Sequence, residues 1–496
     1  MAFKTSVKIL LVYPKTPDTF WSFKHVLRLV SKGAALPPLG LLTIAALLPR
    51  RWELRLVDLN VRKLRDEDVQ WADYIMISAM LIQQESVRSI VQQCKKWKKP
   101  VIGGGPLFTT SHTAFPEVEH VVIGEAEELM PRLISDIEAG QLEKVYRSDK
   151  RPDITKSPVP RWDLINVRDY VTMAVQFSRG CPFDCEFCDI IIMNGRVPRT
   201  KTPDQLIAEL DALRKHGWRH TVFIVDDNFI GNRKHTKALL ERIIEWRRET
   251  CAPFSFITEA SVNLADDPEL CHLMVEAGFK RVFVGIETPV DESLNECRKH
   301  QNQRRDLAEA VRTLQRSGLE VMGGFIVGFD HDPHDIFKRQ FEFIQKSGVV
   351  TAMVGLLQAL PQTRLYQRLA REGRLLANST GNNTASALNF KTRLNRDELI
   401  RGYRELMRQL YEPGAYYDRI LTFLREHQPR GPVCPPSWSD IKAFFKSFWF
   451  LGVWHRGRRA FWRFCLKTLV ERPRQFREGM ELAIMGYHYR RVAEEL

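Results

Sequence analysis

Three cysteines at C-x3-C-x2-C spacing, Cys181, Cys185 and Cys188, follow directly on the apolar run Val171 to Phe177. Thiolates this close in sequence can hold three irons of a cubane [4Fe-4S] cluster. The fourth iron is then left open to a small molecule that is to be reduced. Two plainer readings compete, a zinc knuckle and three buried thiols. Structural zinc takes four ligands, and no fourth Cys or His lies nearby in sequence. The other six cysteines (Cys94, Cys251, Cys271, Cys297, Cys434 and Cys465) are scattered.

The segments around the triplet alternate between strand and helix. Upstream, the apolar runs Val7–Pro14, Leu54–Asp58, Tyr74–Ser78, Pro100–Gly103 and His120–Gly124 read as buried strands. Helical patterns such as Leu39–Leu48 and Glu85–Trp97 fall between them. This alternation predicts a doubly wound parallel sheet that binds ligands at the carboxyl ends of its strands. Ser78, the triplet Gly103-Gly104-Gly105 and Gly124 stand at those ends. The glycines permit close backbone approach to a bulky ligand, and they equally make ordinary tight turns. Between strands, the long aromatic loop Pro14–Ala35, with Phe20, Trp21 and Phe23, either covers a cofactor or fills a domain interface.

A polar linker with Pro152, Pro158 and Pro160 then gives way to a second alternation. Its strands are expected at Thr221–Val225, Phe254–Ala260, Arg281–Glu287, Val321–Gly328 and Thr351–Ala359, after a first one ahead of the cysteines. Six such units make a partial (β/α)6 barrel with its chemistry at the strand ends. Asp226, Asp227, Asn228, Glu259, Glu287 and Gly324 lie at or near those ends. Singly, each acid also reads as an ordinary loop residue. The expected division is an α/β sheet domain over 1–145, a linker over 146–170, the barrel over 171–365 and a mainly helical region over 366–496.

With Phe187 ahead of its last cysteine, the triplet resembles the signature of the radical S-adenosylmethionine (SAM) enzymes. The whole chain is similar to the subgroup with an N-terminal cobalamin-binding domain and a C-terminal helical region, which includes hopanoid and bacteriochlorophyll methylases. The resemblance implies that SAM chelates the open iron through its amino and carboxylate groups, with Phe187 near the adenine. It places Asp226, Asp227 and Asn228 by the SAM amino group, although Gly-Gly-Glu is commoner there. Glu259 falls at the ribose position, Glu287 is a second polar candidate, and Gly324 belongs to the backbone facing the adenine. In the N-terminal domain, Ser78, Gly103, Gly104, Gly105 and Gly124 would line the nucleotide tail of cobalamin. Many such domains carry D-x-H-x-x-G, whose His ligates cobalt. Here the stretch runs Asp58-Leu59-Asn60-Val61-Arg62-Lys63, with Asn60 in the His position. Asn is a poor cobalt ligand, so cobalamin binds without a protein ligand or the domain has lost it.

Composition bounds the rest. The chain has 496 residues, 44% of them hydrophobic, and a net charge of +14. The few cysteines and the absence of a secretory pattern after Met1 suit a reducing cytoplasm. No run approaches the roughly 18 apolar residues of a membrane-spanning helix. From Ser437 to Leu496 there are twelve Lys/Arg against six Asp/Glu, interleaved with Phe444, Phe445, Phe448, Trp449, Phe450, Trp454, Phe461 and Trp462. The break Gly431–Pro436 precedes this part, and Ser437 is placed to cap its first helix. Three readings stay open: a helical lid on the barrel, a peripheral membrane-surface element, and nucleic-acid binding, the least favoured.

The resemblance thus implies an enzyme that methylates an unactivated carbon of a small hydrophobic substrate, a hopanoid-like lipid or a tetrapyrrole. It would use a [4Fe-4S] cluster, SAM and cobalamin, with an electron donor such as flavodoxin or ferredoxin. Cyclisation or rearrangement without methyl transfer is the alternative within the same chemistry, and RNA modification lies outside it.

Overall fold

Apolar runs become parallel strands here because helices cover both faces of the first sheet and the outer face of the second. The computed structural model describes residues 6–27, 32–382, 384, 386–430, 444–446, 448–454 and 456–496. The expected break at Gly431–Pro436 and the cap at Ser437 lie outside the described residues.

The first sheet holds β1 (Lys8–Tyr13), β2 (Glu53–Asp58), β3 (Tyr74–Ser78), β4 (Val101–Gly104), β5 (His120–Ile123) and β6 (Val145–Arg147). All pairs are parallel, in the order β2-β1-β3-β4-β5-β6. Alternation along β1 sends Leu10 and Val12 to one face, where helix α2 (Gln84–Lys96) contributes Val87, Ile90 and Val91. Ile9 and Leu11 go to the other, against α1 (Leu39–Leu47) and α3 (Met130–Ala139). The strand order reverses between β1 and β3, which opens a crevice beyond their carboxyl ends.

The second sheet runs β14-β13-β12-β11-β10-β7, again all parallel. Its strands are β7 (Met173–Val175), β10 (Val222–Ile224), β11 (Phe256–Ala260), β12 (Phe279–Glu287), β13 (Glu320–Val327) and β14 (Ala352–Leu356). Among the described residues β7 and β14 are not paired, so the barrel is partial. The two-residue strands β8 (Ser178–Arg179) and β9 (Arg199–Thr200) pair antiparallel and flank the cysteine loop. Helices α4 (Pro203–Lys215), α5 (Arg233–Thr250), α6 (Pro268–Ala277), α7 (Leu307–Ser317), α8 (Ile336–Ser347) and α9 (Arg364–Arg371) complete the repeats. All but α8 start at a side-chain cap, as where Thr202 and Gln205 form a reciprocal capping box at α4.

Further helices follow, among them α10 (Arg396–Tyr411), α11 (Pro413–Glu426), α12 (Arg458–Glu471) and α13 (Phe476–Glu495). They pack onto the barrel and share its core. The aromatic N-terminal loop fills an interface: Phe20 stacks on Tyr489 of α13 at 4.3 Å, and Trp21 lies edge-on to Phe283 of β12 at 5.4 Å.

His488 on α13 fastens this loop through Nε2, 3.0 Å from the Phe20 carbonyl oxygen. Burial holds its pKa at about 4, with the charge of His25 adding to the fall. The unfolded chain, with an ordinary imidazole near 6.5, takes up the proton first. Stability from this residue is therefore present above that value and is lost as pH falls toward 4. His488→Gln is expected to shrink the Tm difference between about pH 7.5 and about pH 5 relative to the parent protein. An unchanged difference in calorimetric scans would remove His488 from the acid response.

Candidate functional site

The cysteine loop is held from both sides by groups that need no metal. On one side, both carboxylate oxygens of Asp226, just past β10, are engaged. Asp226 accepts from Phe177 N–H (2.7 Å), Ser178 N–H (2.9 Å) and Ser178 Oγ (2.7 Å). Its neighbour Asp227 accepts from Gly180 N–H at 2.7 Å and Asn194 Nδ2 at 2.8 Å. On the other side Glu186, between the second and third cysteines, receives two bonds from Arg368 of α9, at 2.8 and 3.1 Å. The Glu186 N–H donates to the Cys297 carbonyl at 2.9 Å. Burial pushes Asp226 up to about 7 even against its three donors.

Three thiols suit a [4Fe-4S] cluster with one open iron, whereas structural zinc takes four ligands. Amide donors approach two of the sulfurs: Asn228 Nδ2 lies 3.9 Å from Cys181 Sγ and Gln301 Nε2 lies 3.8 Å from Cys185 Sγ. Hydrogen bonds to sulfur tune such clusters. Burial raises the Cys181 and Cys188 thiols, while the Lys299 ammonium pulls the other way.

At the remaining strand ends the acids differ. Glu287 closes β12 with φ +65° and is paired, Oε1 lying 2.6 Å from Lys299 Nζ. The β12 carbonyls of Gly285 and Ile286 are capped by Asn302 Nδ2 at 3.0 and 2.9 Å. Glu259 is different. Its carboxylate takes no hydrogen bond from a described residue, and burial, aided by Asp227 and Asp226, pushes it up to about 8. Asn228 reaches Ser261 Oγ at 3.2 Å, tying the end of β10 to β11.

Strand alternation places Phe223, Ile257, Glu259, Phe283, Gly324 and Met353 on the inner face, since their neighbours Ile224, Val284 and Val354 join the core under the helices. Of these six only Glu259 is ionisable. Gly324 is required there, because a Cβ would come within 2.7 Å of the Phe283 ring. Phe187 lies at the top of β13, its ring 6.2 Å from Phe329.

The first sheet turns its carboxyl ends toward this barrel. Gly103 serves internal packing, since a Cβ would meet the Phe108 ring at 2.7 Å. Gly104 has nothing nearer than 3.9 Å on its Cβ side, and Gly105 sits 2.7 Å from Ser78 Oγ on the same measure. Gly124, at φ +86°, faces space free of any atom within 4 Å. Gly104 and Gly124, open at the carboxyl ends of β4 and β5, leave room for a bulky cofactor. Asn60 does not offer cobalt a ligand: Oδ1 accepts from Thr16 N–H at 2.8 Å, and Nδ2 donates to Asp58 Oδ1 at 2.8 Å. The residues therefore fit a corrinoid held by loops, without a side-chain bond to the metal from this position.

Sequence reasoning missed the clasp between the two sheets. Glu125, next to Gly124, lies 2.8 Å from Arg179 and 2.6 Å from Arg199, the strands flanking the cysteine loop. Glu127 adds a second bond to Arg179 at 2.7 Å. Tyr170 Oη donates to Asp58 Oδ2 at 3.0 Å, and Gln362, beyond β14, donates to the Thr110 carbonyl at 3.1 Å. Lys299, Gln301 and Arg368 were likewise missed, because no local period marks a partner that lies twelve residues away for Lys299 and more than a hundred for the other two.

Comparison with known proteins agrees with this geometry. Residues 26–134 match the B12 binding domain, residues 175–344 the Radical SAM superfamily, and residues 363–496 a Domain of unknown function (DUF4070). The chain is 41% identical to an uncharacterized methyltransferase of Synechocystis sp., over 98% of this chain and 92% of that one. It is 36% identical to the hopanoid C-2 methylase of Rhodopseudomonas palustris, over 94% and 90%. In fold it is similar to the radical S-adenosylmethionine methyltransferase TsrM of Kitasatospora setae, solved with cobalamin and a [4Fe-4S] cluster. That match has a TM-score of 0.61 at 16% identity and covers 99% of this chain and 100% of that chain.

Proposed function

This chain belongs to the cobalamin-dependent radical SAM methyltransferases, and we propose that within them it methylates an unactivated carbon of a hydrophobic polycyclic lipid of the hopanoid kind. The observation that carries this reading is the facing of two strand-end sets, bolted together where Glu125 meets Arg179 and Arg199. When bound, the cluster and SAM supply the radical chemistry and the corrinoid supplies the methyl group.

The chain's own part is to hold, orient and exclude water. Cys181, Cys185 and Cys188 are the cluster ligands in this reading. Asp226 acts on them indirectly by fixing the backbone ahead of Cys181, as Asp227 does through Gly180. Asn228, Phe187, Glu287 and the β13 backbone at Gly324 border the SAM slot. Glu259, raised to about 8 by burial, is neutral at neutral pH and so offers a hydrogen-bond donor on the inner face, where the same register also places the ion pair Arg281–Glu320. Ser78, Gly104, Gly105 and Gly124 border the corrinoid. Phe223, Ile257, Phe283 and Met353 give the lumen an apolar wall, as a carbon skeleton with few polar groups requires. A flavodoxin or ferredoxin as electron donor, and a cytoplasmic setting, go with this reading. So does work at a membrane surface, where such a lipid resides.

The test is anaerobic reconstitution with iron, sulfide and hydroxocobalamin, then turnover with a reductant and SAM labelled in its methyl carbon. A hopanoid and a chlorin are offered separately. Label in the hopanoid is the expected result. SAM consumption with a rearranged, unlabelled product would replace methyl transfer with cyclisation or rearrangement, and label in the chlorin alone would move the substrate to the tetrapyrroles.

A further inference from the structure

Helix α12 is apolar on two faces. Phe461, Phe464, Cys465 and Thr468 turn inward and are buried. On the opposite side Trp462, Leu466, Leu469 and Val470 are exposed, Val470 at 82%. An apolar stripe on a helix is ordinarily covered, and this outward one is not. The preceding segment extends the same surface with Phe445, Trp449 and Trp454, the last 74% exposed. Eight of the fifteen large hydrophobic side chains exposed among the described residues fall between Phe445 and Val470. That concentration marks an interaction surface rather than scattered exposure.

Charge decides what the surface meets. Lys446, Arg456, Arg458, Arg459 and Arg463 lie within or beside the apolar side chains, and none is paired with a described carboxylate. Arg463 and Lys467 border an open depression floored by Leu466 and Val470, with Glu471 at its edge. A second copy of this chain would bring the same unpaired cations face to face, which a symmetric interface does not tolerate. Single-stranded nucleic acid would use aromatic platforms along a basic groove, but Leu466, Leu469 and Val470 offer no ring to stack on. Tryptophans and aliphatics ringed by arginines match the headgroup–acyl boundary of an anionic bilayer.

We propose that the outward face formed by Phe445, Trp449, Trp454, Trp462, Leu466 and Val470 docks this enzyme on anionic phospholipid membranes, with Trp449, Trp454, Leu466 and Val470 inserted and the neighbouring basic side chains on the headgroups. Its use in presenting a membrane lipid to the barrel rests on the hopanoid reading. The observation itself does not, and neither does the test, which needs no substrate or turnover.

The experiment is co-sedimentation of the full chain with sucrose-loaded vesicles of phosphatidylcholine alone or with added phosphatidylglycerol. Binding is expected to be at least tenfold stronger with phosphatidylglycerol and to weaken with salt. Trp454→Ser combined with Val470→Ser should lower it at least tenfold with the Tm unchanged, and Arg459→Glu combined with Arg463→Glu should remove the preference for the anionic lipid. Brominated phosphatidylcholine mixed into the anionic vesicles should quench tryptophan fluorescence in the parent and quench less in Trp449→Phe with Trp454→Phe. Equal partition into neutral vesicles, no partition at all, a concentration-dependent dimer that buries the face, or salt-sensitive RNA binding lost in the same variants would each overturn the proposal. Were methyl transfer to fail while vesicle binding held, the substrate reading alone would fall.

Discussion

Cys185→Ala is expected to abolish methyl transfer to the assay background while leaving the fold in place. Ordinarily such a loss is ambiguous, because removing a buried cysteine also loosens its loop. Here the loop has independent anchors. Asp226 and Asp227 hold its entry through the Phe177, Ser178 and Gly180 amides. Arg368 and the Cys297 carbonyl hold Glu186 next to the substituted residue. The side chain removed is small, and its sulfur lies 3.8 Å from the amide nitrogen of Gln301. Iron per chain after reconstitution should drop sharply, the Tm of the apoprotein should move little, and corrinoid retention should be kept, because the β1/β3 crevice is built from a different sheet. Simultaneous loss of iron and corrinoid would show that the two sites do not form independently. A variant with full iron and activity would remove Cys185 from the ligand set.

Much of this architecture was legible because parallel strands covered on both faces read as unbroken apolar runs. Tyr74–Ser78 is β3 as expected, and α10 and α11 fall in the region 366–496 expected to be mainly helical. β6 was not foreseen: Val145–Arg147 is three residues long and buries only Tyr146, too little pattern to see. The cysteine spacing carried its chemistry in plain view. The acids did not, since the sequence ranks Asp226, Glu259 and Glu287 alike as carboxylates at strand ends. Three dimensions separate them into a loop anchor, a carboxyl with no partner among the described residues and the partner of Lys299. Asn60 shows the same limit, because its departure from the His pattern is visible while its engagement by Thr16 and Asp58 is not. The outward apolar face of α12 was also hidden, as aromatic periodicity cannot tell which of two faces the rest of the chain will cover.

Glu125→Ala is expected to uncouple the two halves of the reaction. The Glu125 carboxylate is 8% exposed and serves two guanidiniums at once, with Arg151 at 3.6 Å as a third neighbour. Burial alone pulls the Arg179 pKa down, but Glu127 and Glu125 more than offset it and leave it raised. Removing one acid leaves Arg199 without a carboxylate in a largely enclosed place, and breaking such a pair costs about 3–5 kcal/mol. Either the interface absorbs that cost or the sheets shift apart, and a shift of about 1 Å between reacting groups suffices for roughly a hundredfold loss. The cluster loop keeps its anchors within the barrel, so reductive SAM cleavage should fall far less than methyl transfer. The readout is the amount of deoxyadenosine released per methyl group transferred, which should rise by at least tenfold, together with a lower Tm. Glu143→Ala is the control, since its pair with Arg132 lies exposed on the first sheet and exposed pairs contribute only about 0–1 kcal/mol. If Glu125→Ala keeps the parent ratio, the orientation of the two sheets is set elsewhere, at Tyr170–Asp58 and Gln362–Thr110. The clasp would then be a matter of stability alone.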